Sequence, residues 1–540
     1  MGMVANALAL ALPIPSTHVA AFPTLSAASF GGADRAFSRK RSHRHISRPS
    51  LQLLATPSGA SAIHETHTTS SSPTSGGSTN GTDRPWQFHV APMQGYTSYP
   101  LRKLFHYLSR DQEEDTGGIV LWTEMEKCEH LLGTNQNGWE KRFGSPGGGG
   151  GKLPISCILQ LGGSDPDLVE QCIYRAAEYG YMPGDFCGIN LNCGCPSIEA
   201  GGAATYGASL MREPKLTGRL VEAVGEAVGR VWGMDCGVEV SVKTRIAAVD
   251  TPEDLISSSI DDDQNTPSST EWTLDEDQYA SLNQYVTQIQ EGGADHVILH
   301  ARPAVLSGLS PVKNRIVPKL DYRAVERVAN DFPGMRVTLN GGLISFADLK
   351  AAMNDYSGGT ISDGKKGVAS HMAGRWMLRR PCDLSLMSPQ CLGSSRKQRQ
   401  DANMLTANAI QNYINYVDQA LGRLGRGDLA TPTHAELFLP LYLVVEQLRE
   451  DYDTLCERMN LDIGELEGHF MVMETIEEIY GIIVEYLKQQ AEHDRGGAGK
   501  RKKSKIPAAD EHNFKKLAAS FKGIVGTKVA NKWRRNRAEL

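Results

Sequence analysis

Short apolar runs recur along residues 87–375, and this repetition constrains the fold more than any other feature. Each run is rich in β-branched residues, has the length of a strand, and ends in glycine or a polar cluster. Segments between the runs, such as 165–179 and 214–231, have helical periodicity. Eight βα repeats predict an α/β fold of the (β/α)8 TIM-barrel type, and the count argues against the alternative, a doubly wound sheet. The eight runs span residues 87–93, 118–125, 155–161, 185–194, 239–246, 296–302, 336–342 and 367–375.

Regions beyond these repeats have a different composition. Apolar residues spaced at i, i+3 and i+4 predict helices at 403–424, 435–459 and 463–490. We therefore assign residues 86–390 to the barrel and residues 400–492 to a C-terminal all-α domain. Three polar or glycine-rich inserts interrupt the barrel, at 144–151, 247–272 and 355–366, and we expect the second, with its run of three aspartates, to be disordered.

The charge of the chain is unevenly distributed. Residues 495–540 hold fourteen Lys/Arg against three Asp/Glu, so the rest of the chain carries a net charge of about −17. A basic tail, 493–540, on an acidic body indicates a polyanionic partner, although a solvated tail has the same composition. Trp533 lies within the tail and could stack on a base.

The first 85 residues resemble a targeting presequence followed by a linker. A short apolar stretch at 4–12 precedes a basic, Ser-rich segment that is nearly free of acidic residues. The combination predicts a plastid address, with the mitochondrion and the cytoplasm as alternatives. No apolar run reaches the roughly 18 residues that span a bilayer, so we expect no membrane association. We expect a monomer.

The ten cysteines form no CxxC pair and have no histidines at zinc spacing, so the sequence predicts no metal site. Cys193 and Cys195 form a CxC motif, which is poor geometry for one metal ion. A buried, small hydrophobic role is the usual fate of an isolated cysteine. We expect that role for Cys193.

Polar or charged residues follow nearly every predicted strand. In a TIM barrel these positions meet at one rim, where active sites lie. A purely structural barrel has no need of such groups, so their arrangement indicates an active site. The residues are Pro92, Met93, Glu124, Met125, Gln160, Asn190, Asn192, Cys195, Lys243, Arg245, His300, Arg302, Asn340, Gly341, Gly342, Gly374 and Arg375.

Six of these strand ends carry motifs that resemble the tRNA-dihydrouridine synthases. The motifs are VAPMQGYT at 90–97, LQLGGSDP at 159–166, INLNCGCPS at 189–197, VKTRI at 242–246, HAR at 300–302 and LNGG at 339–342. The segment LSGLSP at 306–311, with Asn314-Arg315 and the later Leu320-Asp-Tyr, resembles the bacterial DusA subgroup. The resemblance covers about residues 86–390 and implies FMN as cofactor, NADPH as electron donor and tRNA as substrate.

The resemblance also implies roles for individual residues. Cys195 matches the family's proton donor, which supplies a proton to C5 of uracil while a hydride enters at C6. Asn192 matches a residue that touches the target nucleotide, and Arg315 one that helps dock tRNA; Arg302 is a further tRNA candidate. The residues implied to hold FMN are Pro92, Met93, Gln94, Gln160, Lys243, His300, Asn340, Gly341, Gly342, Gly374 and Arg375.

Physical chemistry is consistent with several of these cofactor assignments. Lys243 could neutralise the electron-rich N1–C2=O region of a flavin, and Gln160 and His300 could bond to its polar edge. Glycine amides and Arg375 could hold a phosphate. Two points depart from the family: Val312 stands where the subgroup has lysine, and His371 is inserted before Gly374.

The sequence therefore predicts an enzyme that reduces uridine in the D-loop of tRNA, at positions 20/20a. Two alternatives remain open. One is an FMN barrel that acts on a free pyrimidine, and the other is a non-catalytic RNA-binding protein.

Overall fold

The protein is described here by a computed structural model that covers residues 85–109, 118–148, 155–196, 206–255, 273–357, 367–387 and 396–457. The predicted presequence, the third helix at 463–490, the basic tail and most of the three inserts lie outside these residues. Within the described residues, no helix is both long enough and apolar enough to cross a bilayer.

Eight parallel strands form the barrel that the sequence predicts. The order around the sheet is β2-β1-β11-β10-β8-β6-β5-β4-β3. Only Leu121 separates β2 from β3, so these two segments are halves of one interrupted strand that joins the two edges of the sheet. The strands are β1 (Gln87–Val90), β2 (Ile119–Val120), β3 (Trp122–Lys127), β4 (Cys157–Gly162), β5 (Phe186–Cys193), β6 (Glu239–Arg245), β7 (Ala248–Val249), β8 (His296–His300), β9 (Ala304–Val305), β10 (Arg336–Asn340) and β11 (Ser370–Ala373).

Helices follow the strands, and their starts have local causes. Asp165 caps α4 by accepting a bond from the Asp167 amide at 3.0 Å, with Pro166 in the first turn as the sequence predicts. Asp275 and Gln278 form a capping box at the start of α6. The helices are α1 (Tyr99–Ser109), α2 (Cys128–Leu132), α3 (Gln136–Phe143), α4 (Pro166–Glu178), α5 (Pro214–Trp232), α6 (Glu276–Glu291), α7 (Tyr322–Asp331), α8 (Phe346–Tyr356), α9 (Arg375–Arg379), α10 (Arg396–Gly425) and α11 (His434–Glu457).

Successive side chains along each strand point to opposite faces of the sheet, which separates two buried regions. Outward-facing residues pack on the helices in one large apolar core, whereas Ala91, Trp122, Ile158, Ile298 and Met372 form a separate apolar layer. This separation is expected for a TIM barrel, whose interior is filled by stacked layers of side chains. The interior is therefore a packed core rather than a pore.

A buried polar layer connects the beginnings of several strands. Glu239 accepts bonds from His296 Nδ1 at 2.6 Å and Arg336 Nη1 at 3.4 Å. His296 Nε2 lies 2.6 Å from Thr338 Oγ1, and Arg336 also donates to Ser370 Oγ at 2.8 Å. Each buried charge thus has partners, as burial requires. These paired groups lie at the starts of the strands, at the end of the barrel opposite the predicted active site.

The C-terminal helices pack against the barrel through α1 and the segment that follows α9. Gln447 on α11 crosses this joint: its Oε1 accepts from the Cys382 amide at 2.8 Å, and its Nε2 donates to Asp383 Oδ1 at 2.9 Å. Asp383 also accepts from Trp376 Nε1 at 2.9 Å. The predicted helices at 403–424 and 435–459 correspond to α10 and α11.

One expectation about the inserts is partly wrong. The beginning of the second insert is ordered, because Ala248–Val249 (β7) pairs in parallel with Ala304–Val305 (β9) and a 3-10 turn, Pro252–Leu255, follows. The remainder of that insert lies outside the described residues. The paired segment extends two strands beyond the rim and supports the loops that flank the site.

Candidate active site

A chain of buried amides lies beneath the rim of the barrel. Gln160 Nε2 donates to Asn190 Oδ1 at 2.9 Å, and Asn190 Nδ2 donates to Ser241 Oγ at 2.9 Å. Asn192, one inward-facing position closer to the rim, donates to Gln160 Oε1 at 3.4 Å and lies 2.9 Å from Met125 Sδ. The network fixes the orientation of Gln160 and Asn192 without a ligand.

The loop that carries Cys195 is held on both sides. Asn192 Oδ1 accepts bonds from the amides of Gly194 and Cys195, each at 3.1 Å. On the far side, the amide of Ala208 donates to the Cys195 carbonyl at 2.9 Å. Gly207 permits this approach, because it has φ of +77° and a Cβ there would lie 2.5 Å from the Cys195 oxygen. Cys195 is half-buried, so its thiol is not sealed in the core.

Cys193 faces the opposite way. It is fully buried among the helices, and burial raises the pKa of its thiol to about 12. Its structural role, expected from the sequence, is confirmed by this packing. Strand alternation alone would place positions 193 and 195 on the same face, so the two cysteines are separated because β5 ends at Cys193 and Cys195 lies in the loop that follows.

Lys243 projects into the barrel mouth from β6, where it pairs in register with Asn192. Burial, reinforced by the nearby charge of Arg245, lowers the pKa of Lys243 to about 7, while Cys195 acts in the opposite direction. Among the described residues, no carboxylate forms an ion pair with this amine. A desolvated cation without a protein anion is suited to an anionic or electron-rich ligand.

Arg245 differs from Lys243, because its guanidinium donates hydrogen bonds to backbone carbonyls. Its Nε donates to Gly194 O at 3.1 Å, and its Nη1 donates to Pro303 O at 3.3 Å and Asn314 O at 3.2 Å. Arg245 is buried. It therefore ties the Cys195 loop to the segment that contains Arg315.

Glycines shape the next part of the rim, after β10. Gly341 has φ of +110° and Gly342 φ of +74°, and a Cβ on Gly341 would lie 2.6 Å from His300 Cδ2. Burial, followed by the charges of Arg245 and Lys243, holds the pKa of His300 well below its usual range. The imidazole is therefore neutral and can both donate and accept.

The two cofactor residues predicted on the last strand occupy the expected end of the barrel. Gly374 follows β11, and Arg375 begins the short helix α9. A Cβ on Gly374 would lie 3.0 Å from Met93 Sδ, so β11 and the Pro92-Met93 turn approach closely. Asn340 is turned into the sheet, where its Nδ2 donates to Met372 O at 2.9 Å. This combination of a glycine turn and a short extra helix is the usual phosphate site of TIM barrels.

Gln94 lies farther out than the other predicted cofactor residues. It is exposed, and its Nε2 donates to Glu124 Oε2 at 3.1 Å. Burial raises the pKa of Glu124 to about 7, against the opposing bond from the Gly95 amide. The structure thus places Gln94 beside a carboxyl group and not within the amide network of Gln160.

The predicted tRNA residues Arg302 and Arg315 lie on loops after β8. Arg315 ends a 3-10 turn, Lys313–Arg315, next to the buried Asn314. Arg302 Nη1 donates to the Pro318 carbonyl, so this guanidinium is partly engaged by its own loop. Ile316 and Val317 beside them are each 49% exposed. The loop therefore presents cationic and apolar groups together at the rim.

The sequence does not reveal the roles of two site residues, Glu124 and Arg245. It shows them only as polar groups at strand ends, because their hydrogen-bond partners come from distant segments. Their spacing therefore does not indicate that Glu124 lies beside Gln94, or that Arg245 joins the Cys195 loop to the Arg315 segment.

Comparison with known proteins identifies the family. The dihydrouridine synthase (Dus) family model matches residues 89–260 and 258–451, which together exceed half of the chain. A tRNA-dihydrouridine(20/20a) synthase of Escherichia coli strain K12 is 31% identical over 317 residues, covering 58% of this chain and 72% of that protein. The protein of the same name from Pasteurella multocida is 29% identical over 342 residues, covering 62% and 81%.

A third relative, the tRNA-dihydrouridine(20/20a) synthase of Xanthomonas axonopodis pv. citri, is 39% identical over 202 residues. That match covers 37% of this chain and about half, 48%, of the relative. The matched family region contains nearly all of the barrel, the Cys195 loop, helix α10 and most of α11. The chain belongs to the dihydrouridine synthase family.

Proposed function

We propose that this protein reduces uridine to dihydrouridine in the D-loop of tRNA, at positions 20/20a, with FMN as cofactor and NADPH as electron donor. The family match and the names of the relatives support the reaction and the substrate. The observation that carries the proposal is the placement of the braced Cys195 loop beside Lys243 at the barrel mouth.

The residues at the mouth fit FMN on two grounds. The turn at Gly341-Gly342 and the backbone at Gly374 pack so closely on neighbouring side chains that only glycine fits, which brings backbone amides to the rim without side chains. Lys243 supplies a cation that no described carboxylate neutralises. Gly341, Gly342, Gly374 and Arg375 would hold the phosphate. When bound, FMN supplies the hydride for C6 of uracil, and NADPH restores that hydride after each turnover.

Cys195 would donate the accompanying proton from its thiol to C5 of uracil, which completes the addition of two hydrogens across the C5–C6 bond. The hydrogen bonds that the Gly194 and Cys195 amides donate to Asn192 Oδ1 keep the thiol at the rim. The Nδ2 group of Asn192 faces Gln160 and Met125, on the side where a captured base would lie. A thiol fixed before substrate arrives needs little reorganisation during the transfer.

Lys243 and His300 would orient the reacting partners. The amine of Lys243 would neutralise the electron-rich N1–C2=O region of the flavin. The neutral imidazole of His300 would form a hydrogen bond with the polar edge of the flavin. Gln160, already oriented by Asn190, would contribute an amide to the same edge.

The target uridine must leave the stacked RNA to reach this mouth. Extruding a base costs about a few kcal/mol, which stacking and phosphate contacts offset. Arg315 and Arg302 on the loop after β8 would contact the RNA, and the helical domain and basic tail would extend the surface. We propose that the protein acts as a monomer without membrane association.

Incubation with FMN, NADPH and an unmodified tRNA transcript tests the proposal. Mass spectrometry of nuclease fragments should show a gain of two hydrogens at a D-loop uridine, and the purified protein should have a flavin absorption band. Reduction of free uracil in the absence of tRNA would favour the free-pyrimidine alternative. A protein that never binds flavin but still binds tRNA would favour the non-catalytic alternative.

We also propose that residues 1–85 direct the protein to a plastid. The support is the apolar stretch followed by a basic, Ser-rich segment. A fluorescent fusion to residues 1–85 should enter that organelle. Import into mitochondria, or retention in the cytoplasm, would overturn this assignment.

A further inference from the structure

A polar cavity of about 460 Å³ opens beside the barrel mouth, between the ends of β1 and β3 and the start of α11. Met125 lines this cavity and also contacts Asn192, with 2.9 Å between Sδ and Nδ2. The cavity is therefore a direct neighbour of the place where the target uridine would enter. Its volume is within the range of small-molecule sites and suits one nucleotide.

Most charges that line the cavity are already paired with each other. Arg142 Nε lies 3.3 Å from Glu126 Oε2, and Lys141 Nζ lies 3.3 Å from Glu436 Oε2. Arg102 donates to the backbone carbonyls of Thr97 at 2.6 Å and Arg142 at 2.5 Å. These cations are committed to the protein, so the cavity lacks the excess of cations that a polyphosphate would need.

Two charged side chains of the lining, Lys127 and Glu124, remain available to a ligand. Lys127 has no hydrogen bond or ion pair with the described residues, which suits a single phosphate. Glu124 accepts bonds from the Gln94 amide at 3.1 Å and from the Gly95 backbone, and no described cation forms an ion pair with it. A carboxylate with two oxygens offers about four acceptor positions, so Glu124 retains acceptors for a ligand.

The chemistry of the nucleobases selects among possible ligands. A carboxylate accepts from two adjacent N–H donors, and guanine alone presents such a pair, N1–H and N2–H, on its Watson–Crick edge. Adenine and cytosine place an acceptor beside their donor, and uracil places its single donor between two acceptors. Proteins commonly read single-stranded RNA on these edges.

We propose that this cavity binds a guanine base of the substrate RNA beside the target uridine, with Glu124 accepting from N1–H and N2–H and Lys127 meeting that nucleotide's phosphate. The inference rests on the proposed function and names a specificity site for it. Burial holds Glu124 near the balance between its neutral and charged forms, with a pKa of about 7, and two donors from guanine would favour the carboxylate.

Inosine lacks the N2 amino group of guanosine, so it tests the contact directly. Holoenzyme would be assayed with tRNA transcripts that carry guanosine or inosine beside the target uridine. For the wild type, inosine should raise KM about tenfold at unchanged kcat, as expected for loss of a base contact. Glu124→Gln should raise KM similarly on guanosine RNA and should show no further loss on inosine RNA.

Two further variants serve as a control and as a test of the phosphate contact. Glu129→Gln, an exposed carboxylate outside the cavity, should behave as the wild type. Lys127→Gln should raise KM equally on both RNAs. It should also reduce the slope of log Kd against log salt by about one, as expected for the loss of one phosphate contact. Equal KM of the wild type for guanosine and inosine RNA, with dihydrouridine still formed, would overturn the guanine assignment. Absence of dihydrouridine on every RNA would instead contradict the proposed function.

Discussion

At the scale of single residues, two side chains account for the position of the Cys195 loop. Asn192 holds the loop from within, through two backbone amides, and Arg245 holds its Gly194 carbonyl from the side. Arg245 also holds the carbonyl next to Arg315. One buried guanidinium thus links the segment that carries the proton donor with a segment assigned to RNA docking.

Replacing Arg245 should affect both the Cys195 loop and the segment that contains Arg315. Arg245→Lys should lower the free energy of unfolding by about 1–3 kcal/mol, because a lysine cannot reach three separate carbonyls and leaves buried acceptors unpaired. The rate of dihydrouridine formation should fall as well, since the Cys195 loop loses a brace. Urea unfolding and tRNA turnover measure the two effects. Arg219→Lys, on an exposed face of α5, is the matched control, and equal behaviour of the two variants would argue against the clamp.

Lys243 predicts a pH dependence of cofactor binding. Its pKa of about 7 is lowered by burial, so the amine is charged below pH 7 and loses its charge as the pH rises. An anionic ligand favours the charged form, and the Kd for FMN should therefore increase roughly tenfold from pH 7 to pH 8.5. Flavin fluorescence titration measures this Kd. In Lys243→Gln the same pH range should have little effect, and a wild-type Kd that falls with pH would exclude this role.

At the scale of elements, a neutral histidine is buried between β11 and the helices, and a buried ion pair lies inside the barrel. Burial lowers the pKa of His371 to about 4, and its Nδ1 accepts from Trp86 Nε1 at 3.0 Å. Although burial opposes it, His296, with help from Arg336, lowers the pKa of Glu239 to about 2. The inserted His371 is thus part of β11 and its packing, and it leaves Gly374 and Arg375 at the end of the strand.

These pKa shifts predict loss of stability in mild acid. The unfolded chain protonates His371 below about pH 6.5, whereas the folded protein does so only near pH 4, so stability falls between these values. His371→Gln should remove about 2 kcal/mol of the difference between unfolding free energies at pH 7 and pH 5. The exposed His130→Gln is the control. An unchanged pH slope in His371→Gln would mean that other groups cause the acid sensitivity. Glu239 adds a second loss only as the pH falls from about 4.5 towards 2.

The strands show how far periodicity alone predicts this fold. All eight runs contain barrel strands, because apolar, β-branched alternation is a local property of the sequence. Periodicity does not predict the break at Leu121 or the β7–β9 pair, since a two-residue bridge depends on a partner 56 residues away in the chain. In the same way, the position of Gln94 on Glu124 depends on β3, and motif matching alone does not give it.

At the scale of the whole molecule, the helical domain is joined to the barrel next to the proposed phosphate site. Asp383 accepts from Trp376, which follows Arg375, and from Gln447 on α11. Arg380 bridges Asp383 and Asp451, with Nη2 2.8 Å from the Asp451 carboxylate. Movement of α11 would therefore disturb the segment that positions Arg375.

Removing the central amide of this joint tests the coupling. Gln447→Ala leaves the buried Cys382 amide without its partner and removes one of the two bonds to Asp383 Oδ1, so the free energy of unfolding should fall by about 2 kcal/mol. FMN should bind more weakly, because the segment that contains Trp376 loses its support. Thermal unfolding with and without FMN measures both effects. Gln419→Ala, exposed on α10, should change neither, and normal FMN affinity in Gln447→Ala would show that the joint is only structural.

The basic tail belongs to the same scale, although it lies outside the described residues. Its fourteen Lys/Arg would release counterions from RNA, which makes binding dependent on salt. Deleting residues 495–540 should weaken tRNA binding and flatten the plot of log Kd against log salt. An unaltered slope would show that the tail does not contact the RNA.

The central claim is that a braced thiol at the mouth of this barrel completes the reduction of a uridine in RNA. Single-turnover assays of NADPH-reduced holoenzyme with unmodified tRNA compare the wild type with Cys195→Ala most directly. The account predicts that the variant binds FMN and tRNA as the wild type does and forms no dihydrouridine. Dihydrouridine formation by Cys195→Ala at the wild-type rate would contradict it.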